Sequence, residues 1–86
     1  MNRNSIFAAN WKMNLSQESL ECYVNSVANM KNNNVDIIIA IPYPYLWQAN
    51  NIVTNSGLDI KIAAQNMCYK EKGAYTGEVS VKMLKD

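Results

Sequence analysis

The chain has 86 residues and a formal net charge of +1, with 49% hydrophobic and 17% charged residues. That balance provides no positive surplus for tracking a nucleic-acid backbone or an anionic membrane, and neither is expected as a partner. The only cysteines, Cys22 and Cys68, read as reduced thiols, and the absence of histidine removes the commonest general acid or base near neutral pH. The longest apolar run, residues 37–41, is far short of the ~20 needed to span a bilayer. The apolar run at residues 6–9 is too short for a signal-peptide core. A cytoplasmic location follows as the expectation.

Residues 6–9 read as a short strand, apolar on both faces, of the kind buried in a parallel sheet between layers of helices. Beyond Asn14, the hydroxyl of Ser16 is placed to cap a helix. Leu20, Tyr23, Val24, Val27 and Ala28 then fall at the i, i+3, i+4, i+7, i+8 spacing of one apolar face. Asn32, Asn33 and Asn34 mark its end, since asparagine tolerates left-handed geometry and competes for backbone hydrogen bonds. Residues 35–41 form a β-branched run stopped by Pro42, again predicted as a strand buried on both faces.

Pro44 suits the first position of a second helix that turns Leu46, Ala49, Ile52 and Val53 inward, with Gly57 just past its end. Alternation of Leu58, Ile60, Ile62 and Ala64 with Asp59, Lys61, Ala63 and Gln65 predicts a third strand ending at Gln65-Asn66. Residues 66–78 make a connection longer than the usual strand-to-helix loop, and Ser80 opens a third helix carrying Val81, Met83 and Leu84. Strands alternating with helices imply a parallel sheet with right-handed crossovers, an α/β fold in one domain without internal linkers.

In such a fold, ligands gather beyond the carboxyl ends of the strands, where Asn10, Lys12, Gln65 and Asn66 all fall. Asn10 and Lys12 occupy alternate positions at the end of the strand, which points both to one face, as an amide and an ammonium for an oxygen-rich anion. Each alone is ordinary: a lone lysine is normally a solvated surface residue, and a lone asparagine a turn residue bonded to its own backbone. Trp11, between them, is expected to pack on the opposite face. No phosphate-cradling glycine loop, metal-ligand cluster or nucleophile with an adjacent base stands out, and no cofactor or metal is implied.

Four blocks in order lift the pair above the ordinary: Ala9-Asn10-Trp11-Lys12-Met13-Asn14, Pro42-Tyr43-Pro44-Tyr45-Leu46, Ala64-Gln65-Asn66, and Gly73-Ala74-Tyr75-Thr76-Gly77-Glu78-Val79-Ser80 leading to Met83-Leu84-Lys85-Asp86. Together they resemble the triosephosphate isomerase family over nearly the whole chain. The resemblance implies the first three βα units of a (β/α)8 barrel, so that residues 1–86 form a single partial barrel domain, since a complete barrel takes about 250 residues. It implies interconversion of dihydroxyacetone phosphate and glyceraldehyde 3-phosphate through an enediolate, in glycolysis and gluconeogenesis.

By that resemblance Asn10 and Lys12 bind substrate, and Lys12 meets both the phosphate and the oxygen that becomes negative. The loop with Tyr75 and Thr76 resembles the segment that enters the partner subunit of a homodimer, with Met13 and Glu78 at or near that interface. The family's catalytic glutamate and histidine are expected beyond residue 86, so these residues alone are expected to be inactive, and Glu18, Glu21, Glu71 and Glu78 are not substitutes for the missing base. Leu15 departs from the pattern, in which glycine often follows the asparagine. The alternative is a non-catalytic truncated product acting as a dimerisation or phosphate-binding module, against which stand the unpaired edges of a three-stranded sheet.

Overall fold

A computed structural model of the protein describes residues 5–14, 16–29 and 34–86. Leu15, Asn32 and Asn33 lie outside them. The elements run β1 (Ser5–Asn10), α1 (Gln17–Asn29), β2 (Val35–Ile41), a 3-10 turn (Tyr43–Tyr45), α2 (Leu46–Ser56), β3 (Lys61–Ala64) and α3 (Val81–Lys85). The three strands form one parallel sheet in the order β1-β2-β3.

The core lies where the apolar stripes of the helices meet one face of β2. Leu20 and Val24 of α1, Ala49 of α2, and Ile39 and Ile41 of β2 are fully buried, with Ile37 and Ile60 nearly so. The helical spacing predicted for α1 and α2 is therefore the spacing that packs: Tyr23, Val27, Ala28, Leu46, Ile52 and Val53 rest against this cluster. Glu18 and Glu21 point to solvent. Ser16 caps α1 as expected, its Oγ accepting from the Ser19 backbone N–H at 3.3 Å.

Burial of the sheet departs from expectation. Residues 37, 39 and 41 are buried whereas Asp36, Ile38 and Ala40 are only half-buried, so the helices cover one face of β2 and the other remains partly open. β1 is an edge strand with Ile6 66% and Phe7 61% exposed, in contrast to the buried strand its composition suggests. A continuous apolar run records that both faces are suited to cover. It does not supply the covering elements, and among the described residues none lies over these side chains.

Two boundaries also shift. Pro44 sits in the 3-10 turn that precedes α2, so the α-helix itself begins at Leu46. Gly57 takes the left-handed conformation (φ 65°) at the end of α2. Its N–H donates to the Thr54 carbonyl and that of Leu58 to the Val53 carbonyl, the two bonds of a Schellman end. The Leu58 N–H is thus committed to the helix, and pairing with β2 begins only at Lys61, opposite Ile38. Ser80 is buried and caps α3, its Oγ accepting from the Met83 N–H at 3.2 Å. Among the described residues no helix is long and apolar enough to cross a membrane.

Candidate active site at the carboxyl edge of the sheet

Parallel register brings the strand ends together. Asn10 stands opposite Ala40, and Ala40 opposite Ala63, so Gln65 emerges one step beyond the end of β3 on the edge where β1 terminates. The Trp11 N–H makes one more bond across, to the Ala40 carbonyl at 3.0 Å.

The chain then leaves the strand. Lys12 has φ 57°, the left-handed region that a side chain with a Cβ disfavours by about 1–2 kcal/mol. Lys12 therefore stands beyond the regular strand, and a turn rather than strand alternation places it. That turn is held by the Asn10 side chain, whose Oδ1 accepts from the Lys12 backbone N–H at 2.9 Å. A backbone N–H can only donate, so this bond fixes which amide atom of Asn10 faces inward and leaves its Nδ2 as the donor on the other side. Asn10 and Lys12 are both exposed.

Gln65 is the third member of the group. Its Nε2 donates to Asn10 Oδ1 at 3.1 Å, to the Lys12 carbonyl at 3.0 Å and to the Ala40 carbonyl at 3.3 Å. Placing Gln65 at a strand end was within reach of the sequence; its role as the link across the sheet was not. Only the register of three strands shows that the side chain extends past β2 to the end of β1. Asn66 is exposed beside it. Trp11 turns to the packed side as expected, half-buried, with its ring edge-on to Tyr23 at a centroid separation of 3.6 Å.

The long loop is fastened at its base by the Cys68 N–H donating to the Val79 carbonyl at 2.7 Å and by a parallel bridge between Cys68 and Ser80. Near its tip, the Glu78 N–H returns to the Tyr75 carbonyl at 3.0 Å. Tyr75, Thr76 and Glu78 are exposed, as is Met13 at 95%. A cleft of about 600 Å³ between α2 and α3, floored by Tyr43, Ile62 and Leu84, includes neither Asn10 nor Lys12 in its lining and is not the candidate site. Among the described residues no three His, Cys, Asp or Glu side chains converge to hold a metal ion.

An amide donor and an ammonium at the carboxyl edge of a parallel α/β sheet are chemically suited to an anionic oxygen ligand. Comparison with known proteins gives that site its context: a family model described as triosephosphate isomerase matches residues 5–86. The chain belongs to the triosephosphate isomerase family. It is 42% identical over 85 residues to the triosephosphate isomerase of Mycoplasma capricolum, covering 98% of this chain and 33% of that protein. Similarity to the triosephosphate isomerase of Fusobacterium nucleatum reaches 43% over 89 residues, covering 98% of this chain and 34% of the relative. The Alkaliphilus oremlandii protein of the same name is 39% identical over 85 residues. The chain thus spans about a third of the length of the curated relatives it matches. Membership accounts for the parallel strands joined by helices, the repeating unit of the family's barrel.

Proposed function

We propose that these residues are the first three βα units, and the N-terminal part, of a cytoplasmic triosephosphate isomerase that interconverts dihydroxyacetone phosphate and D-glyceraldehyde 3-phosphate. The observation that carries the reading is the Asn10–Lys12 turn, set at the carboxyl edge of the sheet within a chain of that family. In this reaction a proton leaves the carbon beside the carbonyl, the electron pair moves onto the carbonyl oxygen to give an enediolate, the hydroxyl proton is transferred from the neighbouring oxygen to that oxygen, and a proton returns at the former carbonyl carbon. The overall change is an isomerisation that needs no metal, cofactor or redox partner.

Lys12 supplies fixed positive charge near the oxygen that becomes negative and near the phosphate. At ~4 Å and an effective dielectric of ~20, a pair of unit charges interacts by about 4 kcal/mol, far more than in bulk water. The ammonium is worth most in the transition state, where the oxygen charge is largest. Asn10 offers its Nδ2 donor to the same ligand while its Oδ1 stays occupied by the turn. By the family resemblance the proton-transferring glutamate and histidine lie outside these 86 residues, which contain no histidine.

The exposed loop tip, Tyr75 and Thr76, together with Met13 and Glu78, is proposed to form a homodimer interface. A methionine left almost fully exposed supports that reading, since large apolar side chains at a self-complementary patch gain by being covered. The module alternative is disfavoured by the open apolar side chains of Ile6 and Phe7 on an unpaired edge, which invite association without specificity. The test is purification of the complete protein that carries these residues and a steady-state assay in both directions. Turnover of both triose phosphates supports the isomerase reading, and no turnover by a folded protein refutes it.

A further inference from the structure

The reading above makes Lys12 the charge that acts on substrate, yet nothing intrinsic to lysine favours the backbone conformation that aims it. Lys12 is the only non-glycine residue with positive φ among those described. The Asn10 side chain satisfies its N–H but does not hold its carbonyl. That carbonyl is held by Gln65.

We propose that Gln65 is a positioning residue for Lys12, a clasp that fixes the left-handed backbone of the lysine, while the Asn10 amide is held independently by the Lys12 N–H. Three acceptors surround its Nε2: a side-chain oxygen from the end of β1, the Lys12 carbonyl beyond it, and the Ala40 carbonyl of β2. The amide has two hydrogens for these three oxygens, so one is shared, and each acceptor lies on a different part of the turn or its support. The Ala40 carbonyl also receives the Trp11 N–H, which ties the segment between Asn10 and Lys12 to the same point.

The arrangement is selective in chemistry. An apolar side chain at position 65 offers no donor. A carboxylate there would set oxygen against three oxygens, and asparagine is one methylene too short to span β2 from the end of β3. Neither Asn10 nor Lys12 approaches Gln65 in sequence, at separations of 55 and 53 residues, so the clasp exists only when all three strands are in register. Gln65 itself need not touch substrate. Its effect on turnover passes through the lysine, and a displacement of a charged group by about 1 Å is enough to cost ~100-fold.

This inference rests on the isomerase reading for its kinetic consequence but not for its structural one, and the experiment separates them. Gln65→Met is made in the complete protein, alone and with Lys12→Ala. If the clasp acts through Lys12, Gln65→Met lowers kcat/KM by about 10–100-fold in the presence of the lysine and by less than about threefold once the lysine is gone. An equal loss in both backgrounds overturns the proposal, as does no loss. The crystal structure of Gln65→Met is the second readout: Lys12 is expected to leave the left-handed region, and a φ still near 57° overturns the clasp whatever the kinetics. Gln65→Glu, which keeps size and polarity but removes the donor, is read by the same two criteria if Gln65→Met does not fold. Should the parent protein fail to isomerise triose phosphates, the isomerase reading falls while the backbone measurement still decides the clasp.

Discussion

Replacing Lys12 by alanine in the complete protein separates charge from backbone with unusual clarity. Both hydrogen bonds that hold residue 12, its N–H to Asn10 Oδ1 and its carbonyl from Gln65 Nε2, are made by main-chain atoms and survive the substitution. Alanine carries the same Cβ into the same left-handed conformation, so the backbone cost of about 1–2 kcal/mol is unchanged. The lysine side chain is exposed, so little packing is lost and the stability change is expected within about 0.5 kcal/mol, a shift in Tm of roughly 2 °C at most. What disappears is the ammonium. Loss of one donor aimed at a developing oxyanion costs about 2.7–4 kcal/mol, or 10²–10³ in kcat, and lost phosphate attraction raises KM as well. The assay is steady-state isomerisation of both triose phosphates across a substrate range, beside a thermal melt of each protein. A variant within threefold of the parent in kcat/KM, with an unchanged Tm, refutes the role given to Lys12.

Asn10→Asp keeps the oxygen that accepts from Lys12 and Gln65 but replaces the outward donor by a carboxylate oxygen, so KM for a phosphorylated substrate should rise at least tenfold, about 1.4 kcal/mol, with Tm nearly unchanged. Gly73→Ala would set a Cβ against Tyr75, 2.9 Å from Cδ2 and closer still to Cε2, at a φ of 149°. Because the ring must move, the proposed dimer should dissociate at higher protein concentration, which sedimentation across a dilution series measures. Gly57→Ala meets no atom within 4 Å, so its cost is purely the left-handed backbone, about 1 kcal/mol and a Tm loss of roughly 2–4 °C for a chain of 150–250 residues. Leu20→Ala opens a cavity under a fully buried side chain and should cost about 2–5 kcal/mol by denaturant unfolding of the complete protein.

The amino-acid sequence alone determined the order of elements and most of what begins and ends them, because these are decided by neighbours a few residues away. Ser16 and Ser80 cap helices through their own hydroxyls, Gly57 ends α2 because it tolerates positive φ, and the apolar stripes of α1 and α2 pack as their spacing demands. Asn10, Lys12 and Gln65 were legible as strand-end residues for the same reason. Burial of the strands was not, since apolar faces on Ile6, Phe7 and Ile38 say only that cover is favourable, and cover is supplied by other elements. Nor could alternation foresee the turn at Lys12. Its left-handed backbone is held by Asn10 two residues before and by Gln65 reaching over β2 from 53 residues away, a contact that comes into being only when three parallel strands align their carboxyl ends.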